Sequence, residues 1–398
     1  MTETTNRTTT PRPRHGLFAT RIANTLRYSL MNIFILVGTA AIAYGGYWTW
    51  GGFLLSFLLI GYVDELLGDA GDKELMPPVW YMQFMLYLTL PIMVLITLVC
   101  FNTSSEAGFP ALDALYRALG FDPEAARART DWIGTLGAFG SLGMYYGMAG
   151  VNVAHELIHR TEKPLDVLVG RWLLAFIWDT GFAIEHLYGH HRNVGTELDP
   201  ATAKRGEYIV PFVVRSTVGQ VAAAYRWEKQ RLEQKGIPDR PWTNRFWRGQ
   251  LMTAVVVALY VGFLGPIGIL LSMMSAMIGK IYLEITNYIE HYGLVRLPGQ
   301  PVEARHSWDS YRRVSSGVLY NLQLHAHHHR VATRRYWELQ QSHGQAPVLP
   351  YGYMVSIILA FIPGVWPKLS RPLLADWDSR LASAEERAYL KAKGLLFA

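Results

Sequence analysis

Nine histidines fall into four short clusters: His155 and His159; His186, His190 and His191; His291; and His325, His328 and His329. Imidazole is a ligand for zinc, copper, iron and nickel. Nine imidazoles exceed what one ion takes, so the set suits two ions in a histidine cage. His155 and His159 are four apart, share one face of a helix and can reach one ion. With Glu156 they also read His-Glu-x-x-His, the zinc-protease pattern in which the carboxylate is the general base. A protease needs one further ligand, and that reading leaves the pairs His190-His191 and His328-His329 unexplained. Glu156, Glu185 and Glu290 each adjoin a candidate ligand. They are candidates to orient imidazoles, to bridge ions, or to be simple polar residues at a membrane surface. His15, His306 and His343 stand in the tail or in loops and are read as non-ligands.

Such clusters need elements that bring them together. Of the 398 residues 51% are apolar, and the mean hydropathy is +0.12. Apolar runs near 31–50, 51–65, 79–101, 132–154, 250–265 and 266–290 approach membrane-spanning length, about 20 residues per helix. Gly51-Gly52 and Gly265-Pro266 read as tight turns between successive spans. The pattern predicts an all-α integral membrane protein of about six transmembrane helices with a cytoplasmic histidine-rich helical domain. Its segments are a disordered tail at 1–29, spans one to four at 30–154, a cytoplasmic segment at 155–249, spans five and six at 250–290, and a cytoplasmic segment at 291–398. The tail has no apolar core of a signal peptide. With both termini inside, the inner segments carry 33 Lys and Arg and the outer loops three, Arg117, Arg127 and Arg129, which orients the chain. All nine clustered histidines then lie at one face of the cytoplasmic membrane. Residues 165–184, with Asp166, Arg171 and Asp179, suit a re-entrant or interfacial helix. Residues 352–366 are too short to span and are expected to pack under the cytoplasmic domain. Lys280 and Glu284, one turn apart in the last span, are expected to pair, with a proton route as the sharper alternative. The single cysteine, Cys100, excludes an internal disulfide, a Cys-rich zinc site and a built-in iron–sulfur centre. Electrons for a redox reaction must then come from another protein. No nucleic-acid partner is expected.

The order H-x3-H, H-x3-H-H and H-x2-H-H around spans resembles the membrane fatty-acid desaturase and hydroxylase superfamily. The element Asn287-Tyr-Ile-Glu-His-Tyr-Gly-Leu294 is similar to the His-Tyr-Gly motif of membrane alkane hydroxylases and xylene monooxygenases. Glu185-His-Leu-Tyr-Gly-His-His191, Asp199-Pro200-Ala201, Leu322-Gln323 and Arg334-Arg335-Tyr336 also match, so the resemblance covers roughly residues 30–340. Arg160 stands where the alkane hydroxylases usually have Lys, and Ala326-His327 where the pattern usually has Ser-Asp. The second change removes a carboxylate beside the site and adds an imidazole.

The resemblance implies two iron ions held by the nine histidines, with His327 beside the metals rather than on them. It implies dioxygen as co-substrate and hydroxylation of a terminal or benzylic methyl group of a membrane-dissolved hydrocarbon to a primary alcohol. It implies electrons from rubredoxin, or from ferredoxin with its reductase. Arg330, Arg334 and Arg335 are candidate docking residues, and Leu54, Phe57, Leu58 and Tyr62 candidate lining of a substrate cavity. A desaturase or lipid hydroxylase on the same scaffold is the alternative, separated by an alkene product. A metal- or haem-handling membrane protein that consumes no oxygen is a third reading.

Overall fold

The computed structural model describes residues 14–71 and 76–397. Helices dominate, and the described residues contain no strand beyond two isolated bridges, Asp69 with Arg312 and Asp309 with Val348. Among the described residues, five helices are long and apolar enough to cross a membrane: Ile22–Tyr44, Gly46–Leu67, Val79–Ser104, Arg245–Leu264 and Ile267–His291. The expected span near 132–154 is also helical, as Trp132–Tyr145, a π-helical turn Tyr146–Val151 and Asn152–Ile158. It is glycine-rich and broken by the π turn. It is also the innermost rod, with every residue from 137 to 158 buried.

Glycine is what lets that rod sit so deep. A Cβ on Gly143 would lie 2.7 Å from Ser275 O, and one on Gly147 would lie 2.8 Å from Tyr282 Cβ and 3.0 Å from Gly279 O. Small residues four apart allow two backbones to close in a membrane, where packing rather than water drives association. The rod therefore lies directly against Ile267–His291. That contact places the end that carries His155 beside the end that carries His291.

Two expectations about the amino-terminal part are corrected. Residues 1–13 of the expected tail lie outside the described residues, but residues 14–29 begin the helix Arg14–Tyr44. Asn24, Arg27, Tyr28, Met31, Asn32 and Ile35 are buried at helical spacing. Three polar residues on the buried stripe lower its hydropathy and hide it. The turn to the second span lies at Gly45-Gly46 (φ 84° and 63°), not at Gly51-Gly52, where Gly51 has helical backbone angles. Gly52 serves packing instead, because a Cβ there would meet the Tyr145 ring at 2.8 Å. Gly265 (φ 68°) and Pro266 do form the expected turn between the last two spans.

Pro164–Ala175 is a 12-residue helix, about 18 Å long, too short to cross a bilayer. Asp166 pairs with Arg160 at 3.1 Å, and Asp179, just beyond the helix, pairs with Lys280 at 2.6 Å, while Arg171 donates to the backbone carbonyl of Arg245. Lys280 also bonds Glu284 at 2.5 Å, and the Gln220 amide donates to Glu284 at 2.8 Å. The expected Lys280–Glu284 pair is thus one edge of a buried network that pins the turn after Pro164–Ala175 and the Ile209–Gln234 helix to Ile267–His291. Breaking a buried pair leaves a charge uncompensated. Lys280→Met should therefore lower stability by about 3–5 kcal/mol, read as a lower unfolding temperature in detergent. Adding Asp179→Leu and Glu284→Leu should recover most of the loss.

Candidate metal centre

Four helix segments deliver the imidazoles. His155 and His159 lie one turn apart at the inner end of the central rod. His291 is the last residue of Ile267–His291. The short helix His325–Arg330 carries the final three, and the second cluster lies in a π-helical turn, His186–His190, that runs into His191. Their ring nitrogens gather into two groups, each within 4.8 Å: His155, His159, His186, His191 and His328; and His190, His291, His325 and His329. His155, His186, His190, His291, His325, His328 and His329 are buried, and His159 and His191 half-buried.

The π turn decides how the second cluster divides. On an α-helix His186 and His190 would share a face. The wider i→i+5 repeat instead brings His191 under His186, their Nε2 atoms 3.0 Å apart, and turns His190 to the other group, 3.3 Å from His329 Nε2. The short helix divides likewise: His325 and His329 are 2.9 Å apart in one group, while His328 lies 3.1 Å from His191 in the other. His186 to His159 and His325 to His291 are both 3.1 Å.

These spacings suit metal ligation. A neutral imidazole has one N–H and one acceptor nitrogen, so five or four Nε2 atoms pointing at one another cannot all be satisfied mutually. With metal–nitrogen bonds of about 2.0–2.1 Å, neighbouring ligands in a tetrahedral or octahedral shell stand roughly 2.9–3.4 Å apart. The six Nε2 separations given above span 2.9 to 3.3 Å. Burial drives His186, His191, His325, His328 and His329 well below the usual imidazole range, which leaves them in the neutral form that binds metal.

The groups behind the rings are specific. His190 Nδ1 lies 2.9 Å from Asp199 Oδ2. Asp199 also accepts from Thr202 Oγ1 at 2.6 Å and Ala201 N at 2.9 Å. Burial alone would raise the Asp199 carboxyl, but His190 and Thr202 hold it below the usual range. The Asp199-Pro200-Ala201 motif was the signal in the sequence for this carboxylate. His291 Nδ1 faces His306 O at 3.5 Å, and His306 in turn pairs through Nε2 with Glu386 at 2.9 Å. His306 is thus a buried support rather than a loose loop residue.

The flanking acids separate. Glu290 Oε2 lies 3.3 Å from His325 Nε2, while its Oε1 accepts from Tyr353 at 2.9 Å. Tyr353 had no signal in sequence, since it comes from the Tyr353–Phe361 helix. Glu156 does not face a ring: it binds Arg160 at 2.7 Å, whose guanidinium also holds Asp166 and stacks on Trp337. A fork that spans two carboxylates and an aromatic face is a role for Arg rather than Lys. Glu185 is buried with neither oxygen hydrogen-bonded among the described residues. Burial pushes its carboxyl well above the usual range. A Cβ on Gly189 would strike Glu185 Oε1 at 2.5 Å, which explains the glycine in that motif. His327 stands outside both groups and accepts from Gln340 N at 3.2 Å. The neighbouring Ala326 N–H donates to buried Asp309 at 2.8 Å.

A narrow apolar crevice of about 30 Å³ opens on the cage, with His155, Glu290 and His325 at its floor and Met148, Val151 and Leu322 among its walls. The expected lining residues are elsewhere. Leu54, Leu58 and Tyr62 face outward, 52%, 69% and 68% exposed, and Phe57 packs on the core. Their helix, Gly46–Leu67, runs along the outside of the bundle, so its apolar surface meets lipid.

The fatty acid desaturase family matches residues 130–357, which contain all nine clustered histidines. The xylene/toluene monooxygenase hydroxylase component XylM of Pseudomonas putida is 30% identical over 369 residues, covering 92% of this chain and 93% of the relative. Alkane 1-monooxygenase 1 of Alcanivorax borkumensis is 30% identical over 355 residues, covering 86% and 82%. Alkane 1-monooxygenase 1 of Pseudomonas aeruginosa is 36% identical over 249 residues, 61% of this chain but only 64% of that relative's length. The chain therefore belongs to the fatty acid desaturase family of all-helical membrane proteins, in its alkane hydroxylase and xylene monooxygenase branch.

The His190–Asp199 contact generates a test. A carboxylate behind a ligating imidazole fixes its tautomer and raises its basicity. Asp199→Asn should weaken metal retention about 10–100-fold, read as metal content after dialysis against a chelator. His343→Ala should leave metal retention nearly unchanged, because that exposed ring stands outside both imidazole groups.

Proposed function

We propose that this protein is a membrane monooxygenase that converts a terminal or benzylic methyl group of an alkane or alkyl-aromatic into a primary alcohol. The observation that carries the reading is the joining of two imidazole groups to the floor of an apolar crevice. His155, His159, His186, His191 and His328 would hold one iron ion, and His190, His291, His325 and His329 the other. Bound there, the iron pair supplies dioxygen activation: two electrons and two protons are taken up, one oxygen atom enters the C–H bond and the other leaves as water.

The chain's own residues do the rest. Asp199 holds His190 in one tautomer. Tyr353 fixes Glu290 against His325. The apolar walls admit a hydrocarbon end and exclude water from the reacting carbon. The crevice is narrow, and Met148, unbranched and adaptable, is the wall residue suited to swing aside for a chain.

The charge asymmetry of 33 against three supports a cytoplasmic face for the cage and an inner-membrane location. Electrons would come from a small acidic iron–sulfur carrier, rubredoxin or ferredoxin with its reductase. Arg192 and Arg330, both exposed, directly follow His191 and His329, and Arg334 is exposed nearby. Arg335 is less suited to docking, since it is bonded to Glu162.

Purified protein should hold two irons per chain. Turnover of octane or toluene under labelled dioxygen with reduced carrier should place one labelled atom in a primary alcohol. Zinc alone in active protein, or an alkene with label only in water, would overturn the reading, the latter in favour of a desaturase. His291→Ala should lose iron and turnover while still inserting in the membrane. For the carrier, replacing Arg192, Arg330 and Arg334 with Gln should slow turnover at low carrier concentration and flatten its salt dependence. Unchanged kinetics would move the docking site elsewhere.

A further inference from the structure

The crevice above the cage has two features that a hydrocarbon does not need. Asn152 and Asn287 both line it, and both are buried, 6% and 5% exposed. Each Nδ2 has no hydrogen-bond partner among the described residues. Buried amides are normally paired, and a methyl or methylene group offers them nothing. Their positions are related. Asn152 precedes His155 by three residues on the central rod, and Asn287 precedes Glu290 by three and His291 by four on the facing helix. Each carboxamide therefore stands one helical turn, about 5.4 Å along the axis, above the cage, on the side of its helix that lines the crevice.

We propose that Asn152 and Asn287 form a hydroxyl-binding subsite whose ligand is a primary alcohol lying in the crevice with its oxygen toward the cage. A hydroxyl is one donor and an acceptor, and a carboxamide supplies the complement of each. Two amide N–H groups converge on the hydroxyl oxygen, and an amide oxygen takes its proton. The hydrocarbon is held by the apolar walls alone. The site thus distinguishes an oxygenated chain from its parent by the groups that only the former satisfies. This inference rests on the hydroxylase reading, in which such an alcohol is the product, and it gives these two residues a positioning role that the metal ligands do not fill.

The test uses full-length protein in detergent. Tritiated 1-octanol and benzyl alcohol are bound by scintillation proximity, and octane and toluene are measured as competitors. In the Asn152→Leu/Asn287→Leu variant the ratio of alcohol to hydrocarbon affinity should fall at least about tenfold, the net worth of one hydrogen bond. Asn287→Ser, which keeps a donor, should retain most of the ratio, which a purely structural role would not require. If the double variant is not recovered from membranes, Asn287→Leu should show a smaller fall of the same sign. A ratio equal to wild type in either leucine variant overturns the proposal. Hydrocarbon hydroxylation with such an unchanged ratio removes the subsite alone. A wild-type preference for alcohol that collapses in the variant, in a protein that hydroxylates no hydrocarbon, keeps the subsite and removes the hydroxylase reading.

Discussion

Nine imidazole nitrogens, brought almost into contact in an apolar interior, are the constraint on which the rest depends. Each ring is stripped of water, and at about 3 Å separation their lone pairs repel unless a shared cation takes them. The scaffold must hold that arrangement rigidly. It does so by bringing two helices closer than ordinary side chains allow, at Gly143, Gly147 and Gly279. The first and third histidine clusters then lie at adjacent ends, and the remaining segments fold against them. The supports extend far along the chain, since Glu386 holds His306, whose backbone carbonyl faces His291.

The interior charges follow the same economy. Lys280, Asp179, Glu284 and Gln220 bond one another, as do Arg160, Glu156 and Asp166, the last also accepting from Tyr87. The first set ties a short connecting segment and an amphipathic helix to a spanning helix. Neither set points at a ring. The exception is Glu185, which is buried beside His186 and bonded to nothing among the described residues.

Histidine spacing made the clusters legible, because chemistry fixes residue types more tightly than packing does. Their division between two groups was not legible, because it depends on a π turn, and α-helical periodicity would have paired His186 with His190. Tyr353 reaches the site from a distant helix, so no local pattern announced it, whereas Asp199 stands in a recognisable Asp-Pro-Ala motif. Paired glycines were ambiguous for a physical reason. Gly45-Gly46 supplies positive φ, whereas Gly52 supplies room for Tyr145. The start of the first helix was hidden by Asn24 and Arg27 on its buried face.

The π turn at His186–His190 also bears on how such a centre can arise. A π turn is an α-helix with one extra residue, the kind of change a single codon insertion makes. Without it, the segment presents its histidines along one line and serves one ion. With it, the same segment reaches both imidazole groups. A mononuclear helical site and a dinuclear one are then separated by an indel rather than by a new fold. Alignments that treat such a gap as noise would erase the step that matters.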